Sequence, residues 1–232
     1  MQMLWEGLTD AVRLIADLDP LVLGAAWRSL WISTLAVLLG SITGVAIGAI
    51  LARCRFPGRS FLVILFRAGM AVPTVLIGLT CFALFSRQGP LGGLDLLYTP
   101  WAIVVGEYLL ALPIVVSWTY GAVSGLDRRV AETALTLGAG RLRRLGTYLS
   151  ETRLAIMLAV LTAFARCFTE LGIAMMVGGN IQYRTRTLAT ATALETARGE
   201  FARGVAMSLL LFLMAMLITA FIACLMRTED EK

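Results

Sequence analysis

The hydropathy pattern constrains this chain more than any motif in it. Five runs of about 20 mostly apolar residues follow one another, near positions 29–52, 61–85, 99–123, 154–177 and 205–226. A helix of that length crosses the hydrocarbon core of a bilayer, and lipid offers no water to backbone N–H and C=O groups, so each run must satisfy its own as a helix. The expected fold class is therefore an all-α integral membrane protein of about five transmembrane helices. Composition agrees: 59% of residues are hydrophobic and 15% charged, against about 45–50% and about 25% in soluble domains. The connecting loops are too short for a second domain, so a single transmembrane domain over 29–226 is expected.

Arginine placement sets the orientation, because cytoplasmic loops accumulate basic residues. The loop after the first run carries Arg53, Arg55 and Arg59 with no acid, and the loop after the third carries Arg128, Arg129, Arg141, Arg143, Arg144 and Arg153. The loop after the second has only Arg87, and the N-terminal stretch sets Glu6, Asp10, Asp17 and Asp19 against Arg13 and Arg28. The N-terminus is expected outside and the C-terminus in the cytoplasm. Arg184, Arg186, Arg198 and Arg203 then fall in an external loop, 178–204, against the bias of the others. Ahead of the first run, Leu4, Leu8, Val12 and Ile15 recur at helical spacing, so 1–28 reads as an amphipathic segment lying on membrane lipid. It lacks the basic start and unbroken apolar core of a signal peptide. Residues 227–232 form a short cytoplasmic tail. The net charge of +5 is accounted for by loop arginines facing anionic lipid, and no nucleic-acid partner is expected.

Several chemistries are excluded. Histidine is absent and Cys54, Cys81, Cys167 and Cys224 form no CxxC pair, so no metal or haem site is expected and the cysteines read as small core residues. No clustered carboxylates and no Ser/Lys nucleophile setting appear, so no catalytic residue is assigned and a membrane-embedded enzyme is disfavoured. No GxxxxGK[ST] loop is present, so the chain is expected to bind no ATP and no other cofactor. A self-sufficient secondary transporter would show internal repeats or paired half-helices, and the sequence shows none.

Within the runs, Gly40, Gly44 and Gly48 make a GxxxGxxxG stripe, read as a helix-packing groove, with pore lining as the other reading. Pro73 and Pro113 each remove a backbone hydrogen bond inside a membrane helix, which is tolerated where protein or a water-filled cavity covers the freed carbonyl. That places Pro73 and Thr74 as candidates beside a substrate path. Glu107, Arg166 and Glu170 are ionisable groups within apolar runs, costly to bury unpaired. Arg166 and Glu170 stand four apart and share a helix face. They form either an internal ion pair or a gate or path element.

The segment "ETALTLGAGRLRRLGTYLSE", 132–151, is too polar to span. It reads as a short helix over Val130 to Leu137, a break at "GAG", and a second helix over "RLRRLGTYL". Ala134 and Gly138 give it a low surface between charges, a shape suited to a groove on a partner. "ETALTLGAG" resembles the EAA motif of ABC importer permeases: Glu132, Ala134 and Gly138 match, Thr133 replaces the second position, and Ser150 and Glu151 stand where Leu-Pro usually follows. "RAGMAVPTVLIGL", "SRQGPLG", "LLYTP", "ELGIAMMVGGNI" and "TRTLATATALETARGEF" are similar to permeases of tungstate importers, relatives of the molybdate and sulfate ones.

The resemblance, from about Trp27 to Met226, implies a type I ABC importer permease core in a bacterial or archaeal cytoplasmic (inner) membrane. It implies a coupling segment over 124–153, with Glu132, Ala134 and Gly138 facing a cytoplasmic ATPase. The implied partners are a second copy of the chain, two ABC ATPase subunits that use ATP and Mg, and an external substrate-binding protein. Arg184 and Arg186 are candidates for docking that protein, the other reading being a plain solvated arch. The implied cargo is an oxyanion, tungstate first, with molybdate or sulfate as alternatives.

Overall fold

The computed structural model describes residues 20–230 together with Trp5 and Thr9. The amphipathic positions Leu4, Leu8, Val12 and Ile15 and the last residues of the tail lie outside the described residues. Every regular element among those described is helical. The helices are α1 (Pro20–Arg53), α2 (Arg59–Gly69), α3 (Thr74–Phe85), α4 (Pro100–Ser124), α5 (Arg128–Thr136), α6 (Arg141–Glu151), α7 (Arg153–Phe168), α8 (Gly172–Gly178), α9 (Leu188–Ala197) and α10 (Phe201–Asp230), with one 3₁₀ turn at Gly92–Leu94.

Three of these, α1, α4 and the described part of α10, are long and apolar enough to cross a membrane unaided. The count rises to five if the pair α2–α3 and the pair formed by α6 and α7, the latter bent by 70°, each make one span. The first helix begins earlier than its apolar run, at Pro20, where proline's missing N–H has no intrahelical acceptor to lose.

The second run is broken where a continuous helix was expected. Pro73 is not inside a helix: it is the N-cap of α3, with φ −59° and ψ 130°. Proline pushes its predecessor out of the helical region, so the chain turns through Met70 to Val72 and restarts. Leu76 N and Ile77 N then donate to the Pro73 carbonyl at 2.9 and 3.3 Å. Pro113, by contrast, lies within an unbroken α4. The fourth run is also interrupted, at Thr169 to Leu171 between α7 and α8.

The chain divides into two compact units. The first comprises 1–36, 73–107 and 165–232, the second 37–72 and 108–164. At the centre of the first unit sits α8, whose Ile173, Ala174, Val177 and Gly178 are buried. Glycines make room for it. A Cβ on Gly78 of α3 would stand 3.0 Å from the Met176 Cβ, and one on Gly106 of α4 would run into the Ile173 side chain. Beside it, α9 and α10 pack together around Leu188 and Leu210, with Val22 and Ala25 of α1 completing the cluster. Ser29 Oγ accepts from Leu188 N at 2.9 Å, fixing the start of α9 on α1.

In the second unit the glycine stripe packs against α4. Added Cβ atoms at Gly40, Gly44 and Gly48 would meet Ala111, Val115 and Thr119 in turn, at 3.1, 3.0 and 2.8 Å. The groove is thus filled by residues spaced four apart on the partner helix, which is the packing reading of the stripe. Gly69 of α2 lies in the same way against the ring of Pro113, at 3.0 Å.

Candidate functional site

The segment singled out by its polarity forms two helices, as its glycines indicate. Asp127 caps α5, its Oδ1 accepting from Arg129 N at 2.9 Å. The other end closes on Gly138, whose φ is +70°. Gly138 N donates to Leu135 O and Ala139 N to Ala134 O, both at 2.9 Å. That pair of bonds around a left-handed glycine is a Schellman cap. It explains why glycine stands at 138: a Cβ in this conformation is strained although open space surrounds it. After Gly140 the chain re-enters a helix, α6.

Glu132 is exposed and Gly138 is open, whereas Ala134 keeps only 7% of its surface. The exposed part of the low face therefore belongs to Gly138, and Ala134 is one of the residues lining a cavity of about 580 Å³ between α5 and α6, with Thr133, Leu137, Arg143 and Thr147. Around it the segment exposes leucines: Leu135, Leu137 and Leu142 are 54%, 78% and 85% accessible. Leucines this exposed give an otherwise charged segment an apolar surface, the kind of patch that interaction sites carry.

Three of the four path candidates meet in the first unit. Arg166 Nη1 pairs with Glu170 Oε2 at 2.9 Å; the carboxylate side chain is 2% exposed and the arginine side chain 46%. Glu170 Oε1 also accepts from Ile173 N at 3.2 Å, so the acid caps α8 while holding the arginine. Thr74, at the start of α3, comes to the same place. A Cβ on Gly172 would stand 3.0 Å from Thr74 Oγ1 and 3.2 Å from Glu170 Oε1. Gly172 is the residue sequence reasoning missed, because nothing local says which helix start it must let through. Pro73 is adjacent in the chain but enters only as the cap of α3. Glu107 is buried in the same unit, near enough to Glu170 for the two carboxyls to interact: Ser33 hydrogen-bonds its carboxyl, Oε2 has no partner, and Cys167 Sγ lies 3.5 Å from its backbone carbonyl.

The stretch 178–204 is not a plain arch. Thr185, fully buried, accepts from Ile181 N at 2.9 Å and donates to Gly178 O at 2.6 Å. Gly179, Asn180 and Tyr183 all take left-handed backbone conformations in this knot. The stretch then enters α9, capped by the reciprocal bonds of Thr187 and Thr190. Arg186 is spent on the knot. It bonds Asn180 Oδ1 at 3.1 Å, and its carbonyl accepts from Arg28 Nε at 2.7 Å. Arg184 is exposed. The coupling candidates thus belong to the second unit and the path and docking candidates to the first.

The chain thus combines a glycine-capped helix pair carrying exposed leucines with packed helices apolar enough to span a membrane. Residues 44–228 match the family of binding-protein-dependent transport system inner membrane components, and the chain belongs to that family. It is therefore an inner-membrane ABC importer permease, with an ATPase and a substrate-binding protein as its class of partners. A tungstate uptake system permease protein, TupB, of Campylobacter jejuni is 34% identical over 97% of this chain and 94% of its own. TupB of Peptoclostridium acidaminophilum is 30% identical over 96% and 97%. ModB of Escherichia coli, a molybdenum transport system permease, is 30% identical over 88% and 94%. Among solved structures, an inward-facing form of the MetNI methionine ABC transporter superposes with a TM-score of 0.72 at 17% identity, covering 90% of this chain and 95% of that one; the likeness shows the fold.

Proposed function

We propose that this permease carries tungstate inward as a homodimer served by two ATPase subunits and an external binding protein. The observation that carries the cargo is the 34% identity, over nearly the whole of both chains, to a tungstate uptake permease. Five spans, with the N-terminus outside and the C-terminus in the cytoplasm, put the arginine-rich 124–153 segment on the ATPase side. The chain binds no cofactor of its own, and ATP and Mg belong to the ATPase. Closure of the ATPase dimer on ATP draws the two coupling segments together. It shifts the equilibrium between inward- and outward-facing states by the difference in binding to the two. Glu132 and Gly138 face the ATPase, Leu135, Leu137 and Leu142 fill its groove, and Ala134 supports them from below.

For the anion, Arg166 is the contact this reading selects. Nearly half of its side chain is exposed while Glu170 holds the rest. An arriving oxyanion therefore competes with Glu170 for the guanidinium instead of meeting an unpaired charge, which keeps binding weak enough for release. Thr74 adds a hydroxyl at the same point. Outside, Arg184 meets acidic groups on the binding protein. Molybdate is the second reading, favoured by the likeness to a molybdenum permease.

The test follows ATP hydrolysis by the reconstituted complex with the binding protein loaded in turn with tungstate, molybdate and sulfate. Stimulation by tungstate alone supports the proposal. Stimulation by another anion keeps the importer class and replaces the cargo, and no stimulation by any of them removes the oxyanion reading.

A further inference from the structure

Arg67 is a fourth ionisable group within the apolar runs, and the only one in 61–85. It closely precedes Gly69, which lies against the ring of Pro113, and its guanidinium carbon stands 5.6 Å from the centre of the Tyr120 ring. Those contacts set it beside α4 between Pro113 and Tyr120, on a helix apolar enough to cross a membrane. Ser117, at the same level, is about 10 Å inside the end of α4 at Ser124. A guanidinium at that depth is costly unless water or a counter-charge reaches it.

Arg67 is exposed, and among the described residues no carboxylate pairs with it. Instead it borders a cavity of about 430 Å³ within the second unit, lined also by Met70, Ser117, Trp118, Gly121 and Ala155. No acid lines this space. Arg67 and Trp118 can only donate hydrogen bonds, and the Ser117 hydroxyl is enclosed without a partner. Gly121 leaves its side open, with nothing within 4 Å of an added Cβ. Arg59, also 5.6 Å from the Tyr120 ring, adds a second positive charge, and it is committed to the carbonyls of Leu51 and Ala52. A cavity with an accessible guanidinium, local positive charge and no acid suits an anion.

We propose that this cavity is a second station for the transported oxyanion, with Arg67 holding the anion and Trp118 walling it in. The planar fork of a guanidinium matches two oxygens of a tetrahedral oxyanion at once. A single exposed fork, without the closed shell of donors that makes a tight site, lets the anion go again. Ala155 stands in the first turn of α7, close after the coupling segment, so one wall of the cavity is joined to the part that the ATPase is proposed to move. On the proposed orientation the station lies toward the cytoplasm, where the anion leaves. The station rests on the oxyanion reading of the cargo, and not on which oxyanion crosses.

The test titrates the full chain, in nanodiscs of phosphatidylcholine, with tungstate, molybdate and sulfate in turn. The signal is the fluorescence of Trp118, taken as the difference between the wild type and Trp118→Phe. The wild type gives a saturable change with at least one of these anions. Arg67→Gln weakens the apparent affinity at least about tenfold, the scale of one lost charge-assisted bond. Arg67→Lys keeps the charge but loses the fork; it weakens binding by less, and serves if the glutamine variant does not fold. A wild type that responds to none of the anions, or a response that both Arg67 variants leave intact, overturns the proposal. An equal loss in Arg55→Gln, at an exposed arginine outside the cavity, overturns it by making the effect one of overall charge. A response to added phosphatidylglycerol and to none of the three anions overturns it by giving the cavity to a lipid headgroup. The assay contains neither ATPase nor binding protein, so its failure leaves stimulated hydrolysis, and with it the oxyanion reading, untouched.

Discussion

A methyl group added at Gly48 tests the packing of α1 on α4. In the structure a Cβ there would stand 2.8 Å from both the Thr119 Cβ and the Val116 carbonyl oxygen, and 3.1 Å from Thr119 Cγ2. Carbon contacts are comfortable at about 3.5–4.0 Å, so the helices must part locally by roughly 0.7 Å. The obstacle includes backbone, which cannot rotate away. Overpacking of this kind costs about 1–3 kcal/mol, while the better helix propensity of alanine returns up to about 1 kcal/mol. Gly48→Ala should therefore lose about 1–2 kcal/mol net, or roughly 2–8 °C in melting temperature for a chain of this size. At Gly40 the obstacle is the Ala111 methyl at 3.1 Å, and the two terms nearly cancel. Gly121 has nothing within 4 Å, so Gly121→Ala should melt at or above the wild type. Thermal unfolding of the purified chain in detergent micelles, followed by tryptophan fluorescence, gives the order Gly121→Ala, Gly40→Ala, Gly48→Ala from most to least stable. If Gly48→Ala melts together with Gly121→Ala, the close approach of the helices is wrong.

Four other substitutions separate the roles assigned above. Gly138→Ala strains the left-handed cap by about 1–2 kcal/mol and should lower binding-protein-stimulated ATP hydrolysis; undiminished stimulation would remove Gly138 from coupling. Arg166→Gln should cut anion transport while leaving stimulated hydrolysis in place, and loss of both together would make the pair structural. Arg184→Glu should raise the binding-protein concentration needed for half-maximal stimulation, and an unchanged value would end the docking role. Thr185→Val leaves a buried N–H and a carbonyl unpaired and should cost about 1–3 kcal/mol in the same melting assay, whereas a neutral result would mean the knot around Ile181 is held by other contacts.

What the sequence disclosed was local. The glycine break at 138–140 and the turns on either side are written in adjacent residues, and the structure reproduces both helices. The pairing of Arg166 with Glu170 follows from a spacing of four on one helix face, even though Glu170 sits just past the end of α7. Hydropathy, however, sums over a window and is blind to direction, so it ran 61–85 together as one helix and set Pro73 inside it. Thr185 and Gly172 gave no signal because their importance comes from groups that the fold brings to them. The same holds for Arg67: the cavity it borders is completed by residues of α4 and α7, far from it in sequence.

The caps on α5 have a further consequence. A helix of 9 residues is too short to persist alone in water, since isolated helices below about 12–15 residues are marginal. Here Asp127 secures one end and Gly138 the other, so the segment is already shaped before any ATPase arrives. In the proposed coupling role, docking therefore need not be charged with the conformational entropy of folding a peptide, and the binding free energy is left to do mechanical work. In that role a segment held at both ends also transmits displacement without absorbing it, so loosening either cap should turn a stiff linkage into a slack one, through which the loaded binding protein no longer stimulates the ATPase.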